Sequence, residues 1–371
     1  MQNRTINIGI VGIGMMGSEH AASLKMIPEA NLTAICGLRK NKADQFANKF
    51  DAKPYYDVDE MINSGNIDAI IIATPHYDHP SIAIKALAAG LHVLTEKPIA
   101  VHKADGLKMI AAHREHRDLR FAAMFNQRTI PAHQKIKQLI DDGELGEIRR
   151  INWIITDWFR TQQYYDSCDW RGTWKGEGGG VLLNQCVHQL DLFQWFFGLP
   201  TKVRSFSQIG KYHNIEVEDD ITTYCEFENG STGVFIASTG EAPGTNRLEI
   251  TGELGRLVFE NHQLLFTRNM QSLSEFSREA EQGFAKPEAQ DITIPLGEPT
   301  IQEHQAILDN FCRCILDENV QLIAPAEEGI KSLELANSMT FSFLTDTSVE
   351  MPLDEVAYQN LLQDQINRSN S

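Results

Sequence analysis

The sequence predicts an α/β unit built on a doubly wound parallel sheet, followed by an α+β unit built on a mixed, mainly antiparallel sheet. Three observations predict this. Short β-branched runs alternate with helical segments through the first 130 or so residues; a glycine-rich loop, Gly12-Ile13-Gly14-Met15-Met16-Gly17, joins the first such run to the first helix; and beyond Gly146 strand-like segments succeed one another with turns between them.

In the first unit, residues 6–11, 32–36, 69–73, 92–94 and 121–125 read as buried strands, bounded by Gly, Pro or charged clusters. Helices fill the intervals. Residues 81–89 run into Gly90, which suits the position just past a helix end, and residues 103–116 carry Leu107, Ile110 and Ala111 on one face. Strand, helix, strand in repetition implies parallel pairing with right-handed crossovers. In the second unit, residues 148–156, 203–209, 221–227, 231–238, 247–251 and 257–260 are strand candidates, with Asn229-Gly230 as one of the turns. A long helix is expected over 181–197 and two more, near 302–316 and 326–345, close the chain. The polar, Glu-rich stretch 271–290 reads as a surface excursion. The domains are expected at 1–127 and 128–371, with the C-terminal helices free to pack back on the first.

At 371 residues the chain is long enough for two self-sufficient cores. Its 33 Lys and Arg against 50 Asp and Glu give a net charge of −17, a field that repels phosphate backbones and anionic lipid surfaces. Neither nucleic acid nor membrane is an expected partner, and no apolar stretch approaches a bilayer span. Met1 to Asn7 lead directly into a strand pattern with no secretory signal, so a cytoplasmic location is expected. Six cysteines (Cys36, Cys168, Cys186, Cys225, Cys312 and Cys314) are scattered without a C-x-x-C pair, which predicts free thiols and no zinc ribbon. No metal site is expected.

The glycine loop carries a specific physics. Gly12 permits a tight turn, Gly14 lets the backbone approach a pyrophosphate, Gly17 lets helix and strand pack closely, and the N–H groups around Met15 and Met16 at the helix start receive negative charge. About 20 residues on, where an acid would bind the ribose 2′-hydroxyl of NAD, the sequence reads Cys36-Gly37-Leu38-Arg39-Lys40. A carboxylate is missing and Arg39 can pair with a 2′-phosphate, so NADP is favoured over NAD; a solvated basic turn is the plainer alternative.

From Thr95-Glu96-Lys97-Pro98, the chain resembles the Gfo/Idh/MocA family of sugar and polyol oxidoreductases. The glycine loop, Ala73-Thr74-Pro75, Leu145-Gly146-Glu147-Ile148, and Gly178-Gly179-Gly180 leading to Asn184, His188 and Asp191 extend that resemblance over most of the chain. It implies an N-terminal Rossmann domain, a second domain whose open sheet face makes homodimers or homotetramers, and an active site between them. It implies cofactor contacts from Thr74, His76, His79 and Glu96, and a lysine, Lys97, against the reacting hydroxyl. An Asp and a His four residues apart usually complete such sites; this chain keeps His188 and has Asn184 in place of the Asp.

The residues themselves agree on spacing. Asn184, His188 and Asp191 at i, i+4 and i+7 would form one polar stripe on the 181–197 helix, which is otherwise apolar and needs partners or a cavity for that stripe. A hydrogen-bonded core histidine is the bland reading. The catalytic reading makes His188 or Lys97 the base for a secondary alcohol, with Asn184 orienting substrate hydroxyls. Trp158, Arg160, Tyr165 and Trp170 lie in a 17-residue segment holding three of the five tryptophans, and would form a carbohydrate-binding wall or a protein contact. Arg128 either lines the same cleft with Asp191 or joins the domains. The expected function is hydride transfer between a nicotinamide cofactor, NADP or NAD, and a sugar, inositol or related polyol. A glycosidase of the same family with a retained cofactor and a non-catalytic NAD(P)-sensing regulator are the alternatives.

Overall fold

Strands apolar on both faces need helices on both sides, and the first six strands meet that condition. In a computed structural model describing residues 4–369, β1 (Ile6–Val11), β2 (Ala30–Cys36), β3 (Lys53–Tyr55), β4 (Ala69–Ile72), β5 (His92–Thr95) and β6 (Phe121–Ala123) form one parallel sheet. Met1 to Asn3, the start of the lead-in discussed above, lie outside the described residues. Helices α1 (Met15–Leu24), α2 (Lys40–Phe50), α3 (Val58–Ile62), α4 (His79–Ala88) and α5 (Lys103–Arg114) make the crossovers. Ile8, Ile10, Ile70, Ile71 and Leu94 are completely buried between them. The strand order is β3-β2-β1-β4-β5-β6, so the chain reverses direction between β1 and β4 and opens a crevice at their carboxyl ends.

After α6 (Pro131–Asp141), a nine-stranded sheet begins with β7 (Ile148–Ile155). Helices α7 (Gln162–Asp166) and α8 (Val187–Phe197) precede β8 (Lys202–Ile209), β9 (Glu218–Glu226), β10 (Thr232–Ser238), β11 (Asn246–Gly252), β12 (Gly255–Glu260) and β13 (Gln263–Asn269). Then come α9 (Leu273–Glu279), β14 (Ala289–Ile294), α10 (Glu303–Leu316), α11 (Ala326–Thr345), β15 (Val349–Glu350) and α12 (Glu355–Ser369). The order is β14-β13-β12-β11-β7-β10-β9-β8-β15; β7 and β10 pair in parallel and the other neighbours are antiparallel. Alternation along β7 buries Ile151, Trp153 and Ile155 on one face. There Trp153 stacks on Phe196 and Phe193 meets Phe235, fixing α8 against the sheet. The closing helices do pack on the first unit, α10 against α1 and both α11 and α12 against α5.

Two local expectations are corrected and a third, the surface excursion, holds with added detail. The helix expected over 181–197 starts only at Val187. Glu218 is the cause: its carboxylate accepts from the N–H groups of Gly180 and Leu182, and its carbonyl from Val181, which holds this segment in turns against β9. Asn184 therefore sits in a turn rather than on a helical stripe with His188. The polar excursion 271–290 contains α9, which has no buried residue, and ends at the start of an edge strand. A third closing helix, α12, burying Tyr358 and Leu362, follows the two expected.

Candidate active site

A cavity of about 920 Å³ runs from the crevice at the carboxyl ends of β1 and β4 to the start of α8. Its nucleotide-sized end is made by the glycine loop. Gly12 has φ +104°, and a Cβ there would stand 2.2 Å from the Ala73 carbonyl oxygen; a Cβ at Gly17 would meet the Gly12 oxygen at 2.0 Å. At Gly14, by contrast, a Cβ would meet nothing within 4 Å, so the loop leaves open space before the helix. Helix α1 begins there with no side-chain cap and no acid in its first turn, so its free N–H groups face the cavity lined by Met15 and Met16. Thr74 lines the same space, and its buried Oγ1 has no hydrogen-bond partner. An open cradle, an uncapped helix start and an orphaned hydroxyl fit a dinucleotide pyrophosphate. Gly37, Arg39 and Lys42 line the outer end.

At the inner end, Lys97 follows β5 of the first sheet and His188 stands in the first turn of α8, so the two units supply one each. Lys97 Nζ donates to the Asn184 carbonyl at 3.0 Å. Burial lowers Lys97 from its ordinary value near 10.5; the carboxylates of Glu96 and Glu177 oppose the fall and Arg171 and Arg160 add to it. His188 is held well below 6.5, first by burial and then by the Lys97 charge, and its buried Nδ1 has no partner. Its ring stands edge-on to Phe125. Glu96 accepts from His20 Nε2 at 2.7 Å and from the Lys97 N–H at 3.1 Å. Burial works against its charge, yet the His20 bond and charge hold it down to about 2.

Asn184 Nδ2 donates to Glu177 Oε1 and, at 3.3 Å, to the Tyr164 hydroxyl. An ionised Glu177 is acceptor-only, so this pairing turns Asn184 Oδ1 away from it. Glu177 is raised by burial, against which the Gly172 N–H and the Asn184 amide work. His76 also lines the cavity; its Nδ1 donates to the Glu177 carbonyl at 3.0 Å, and burial lowers it to about 3. Trp158, Arg160 and Trp170 are on the wall.

Four expected site residues are elsewhere. Arg128 and Asp191, each 1% exposed, form a two-pronged ion pair, Nε to Oδ2 and Nη2 to Oδ1 both at 2.7 Å, away from the cavity lining. Arg128 also reaches Glu328 of α11, so it ties three segments together instead of facing substrate. Tyr165 points into the second unit and shares a hydrogen bond of 2.9 Å with Thr239, whereas its neighbour Tyr164 lines the cavity. Adjacent residues on a one-turn helix face about 100° apart, and nothing in the local sequence sets which faces in. His79 is fully buried, its ring nitrogens facing the Pro98 and Thr74 carbonyls at 2.8 and 2.9 Å, so it braces the loops beneath the cavity.

Tyr164, Arg171, Gln185 and His304 line the cavity, and Glu177 stands behind Asn184, without having been singled out from the sequence. Arg171 and Tyr164 fall in the aromatic segment and Glu177 precedes the glycine run, which were the available signals; His304 arrives from α10, some 200 residues from Lys97, with no local signal. Among the described residues, no group of three His, Cys, Asp or Glu side chains is arranged to hold a metal, and no helix is long and apolar enough to cross a membrane.

Residues 6–123 match the family described as an oxidoreductase family with an NAD-binding Rossmann fold, and residues 133–258 match the GFO/IDH/MocA C-terminal domain. The chain is 26% identical to myo-inositol 2-dehydrogenase of Thermotoga maritima over 69% of its own length and 75% of that protein. It is 28% identical to trans-1,2-dihydrobenzene-1,2-diol dehydrogenase of Bos taurus, over 67% and 72% of the two chains. Among solved structures, WlbA dehydrogenase from Chromobacterium violaceum, in complex with NADH and UDP-GlcNAcA, superposes with a TM-score of 0.81 at 26% identity, covering 95% of this chain and 98% of that one. With its parallel six-stranded sheet, its mixed nine-stranded sheet and both domain matches, the chain belongs to the Gfo/Idh/MocA family of oxidoreductases with an NAD-binding Rossmann fold.

Proposed function

We propose that the protein is a nicotinamide-dependent dehydrogenase or reductase of a secondary alcohol or its ketone on a sugar, inositol or related polyol, preferring NADP to NAD. The observation that carries this is one cavity lined by the glycine loop at one end and by Lys97, Asn184 and His188 at the other. Inositol and dihydrodiol dehydrogenases among the relatives support the substrate class. Gly37 in place of an acid, with Arg39 and Lys42 on the lining, supports NADP.

The glycine loop, the start of α1 and Thr74 would hold the cofactor, which supplies the hydride acceptor or donor. Lys97 exchanges the hydroxyl proton. Its amine donates to the Asn184 carbonyl, which fixes the direction of its remaining lone pair, and its lowered pKa brings it toward the working range of a general base. His188, kept neutral by burial, hydrogen-bonds the same oxygen, and Asn184 accepts from a neighbouring hydroxyl through Oδ1. Lys97→Met and His188→Ala each abolish turnover while cofactor affinity, measured by quenching of protein fluorescence, stays near wild type; near-normal kcat in both variants refutes the assignment.

The domain boundary falls near residue 127, between β6 and α6. The open face of the nine-stranded sheet, where Ile154 and Ile236 lie in register beside Tyr224 and Phe206, supports homo-oligomer formation. Six free cysteines, five of them buried, support a reducing compartment such as the cytoplasm.

A further inference from the structure

The cavity carries an excess of positive charge. Six cationic side chains line it (Arg39, Lys42, Lys85, Lys97, Arg160 and Arg171) against two carboxylates, Asp78 and Glu96, in a chain whose net charge is −17. The three at the outer end have evident work. Arg39 and Lys42 line the outer end, where they would meet a 2′-phosphate in the NADP reading above, and Lys85 pairs with Asp59 at 2.7 Å.

Arg160 and Arg171 have none. Among the described residues neither forms an ion pair. Arg160 Nη1 donates to the carbonyls of its own loop, Phe159 at 2.9 Å and Trp158 at 3.4 Å. Arg171 Nη1 donates to the Tyr164 hydroxyl at 2.6 Å, and its buried Nε has no partner. The two guanidinium groups lie over the Tyr164 ring, 5.1 and 4.4 Å from its centroid, with Trp158 and Trp170 as further stacking partners. These contacts hold the two groups on the cavity wall and leave Arg171 Nε still to be satisfied. Both are close enough to Lys97 to depress its pKa. The nearby carboxylates are engaged elsewhere, Glu96 by His20 and the Lys97 N–H, Glu177 by Asn184 and the Gly172 N–H. Asp78, the other carboxylate on the lining, stands at the start of α4.

We infer that the substrate is a sugar or polyol bearing an anionic group, carboxylate or phosphate, which Arg160 and Arg171 seat so that a hydroxyl reaches Lys97. This rests on the dehydrogenase reading above and narrows it. Two guanidinium groups without counter-charges suit charge-assisted, two-pronged contacts to such an anion, and a neutral polyol would leave both without one.

The test uses matched pairs with the whole protein, at saturating NADPH or NADH for binding by calorimetry and at saturating oxidised cofactor for initial rates. D-glucuronate and D-gluconate are set against D-glucose, and myo-inositol 1-phosphate against myo-inositol. One member of the charged set is expected to exceed its neutral partner by roughly 10- to 100-fold in affinity or kcat/KM, the size of a charge-assisted contact; whether acids or phosphates do so identifies the anion. Arg160→Gln and Arg171→Gln reduce that ratio, and Arg160→Lys keeps more of it than Arg160→Gln. Neutral partners turned over as well as or better than charged ones overturn the inference and leave the dehydrogenase reading standing. Charged ligands that bind preferentially without any turnover uphold the anion site and count against the dehydrogenase reading. Absence of any charged preference in wild-type binding and rates overturns the inference whatever the variants do.

Discussion

Replacing Arg128 by Met should destabilise the protein severely, and replacing Asp191 by Leu in the same chain should restore most of the loss. Both side chains are 1% exposed and meet through two bonds of 2.7 Å. Burial disfavours the Arg128 charge, but Asp191 and Glu328 outweigh that and hold it protonated. Truncating one partner leaves an uncompensated buried charge, which costs about 3–5 kcal/mol, whereas an apolar pair of similar volume is often neutral or better. Here the double variant retains a deficit of about 1–3 kcal/mol, because the Ile323 carbonyl, which accepts from Arg128 Nη1 at 3.2 Å, the partly exposed Glu328 carboxylate, which accepts from the same nitrogen, and Gln194, which donates to Asp191 Oδ1 at 3.1 Å, each lose a partner. Urea unfolding followed by tryptophan fluorescence measures this, with Trp195 as a local reporter because its ring lies 5.3 Å from the Arg128 guanidinium carbon. Initial rates on the double variant at low temperature should give an unchanged KM for the alcohol, since neither group lines the cavity. A loss below about 1 kcal/mol in Arg128→Met, or a double variant no more stable than the single ones, refutes the buried-pair reasoning; a large rise in KM at intact stability instead returns Arg128 to the substrate site.

Other perturbations probe separate parts of the molecule. For alcohol oxidation, kcat/KM should rise with pH through a limb below 10.5, where Lys97 loses its proton, with no inflection near 6.5 because His188 titrates well below it; an inflection near 6.5 that vanishes in His188→Asn would make the histidine the base. Folding stability should fall as pH drops below about 6.5, since His76 and His133 take up protons in the unfolded chain there but only near about 3 and about 4 in the native one. Each contributes a slope of about 1.4 kcal/mol per pH unit between those limits, and His133→Leu should flatten the decline measured by urea titration from pH 7 to 4. Arg39→Ala should lower kcat/KM with NADP by roughly tenfold and spare NAD, and Gly37→Asp should move preference toward NAD. At Gly37 the new Cβ would meet Ile13 Cδ1 at 2.8 Å, so Ile13 must turn aside; an unchanged NADP to NAD ratio in both variants removes the basis for NADP preference.

The elements legible in the sequence were those whose cause is local. Largely buried strands such as β1 and β4 announce themselves as β-branched runs, and the glycine loop declares its turn because only glycine fits 2.2 Å from the Ala73 oxygen. Elements whose cause lies far along the chain stayed hidden. Glu218, 38 residues beyond Gly180, delays α8 by six residues and takes Asn184 off the helix, while apolar periodicity across 181–197 continues as though nothing intervened. Arg128 and Asp191 are polar residues beside site residues, and only the 63-residue contact between them reveals that they satisfy each other. His304 reaches the cavity because α10 returns to pack on α1, a contact between chain ends that no window of sequence contains.

That same long-range wiring explains why a chain can carry Asn184 where a carboxylate is usual. If Lys97 exchanges the substrate proton as proposed, it needs negative potential nearby to serve as acid as well as base, since burial, Arg171 and Arg160 all push its proton off. Glu96 supplies it from the adjacent position, and Glu177, hydrogen-bonded to the Asn184 amide, adds to it through its charge. In the proposed site, Glu177 stands behind Asn184 and orients its amide. Glu177→Gln removes that charge and frees the Asn184 amide to turn. Its expected signature is a lower kcat with a rising pH limb displaced to lower pH, as Lys97 loses a stabilising carboxylate, at unchanged cofactor KM. A limb that stays in place, or moves up, separates Glu177 from the proton chemistry and leaves it only the task of bracing the Gly172 turn.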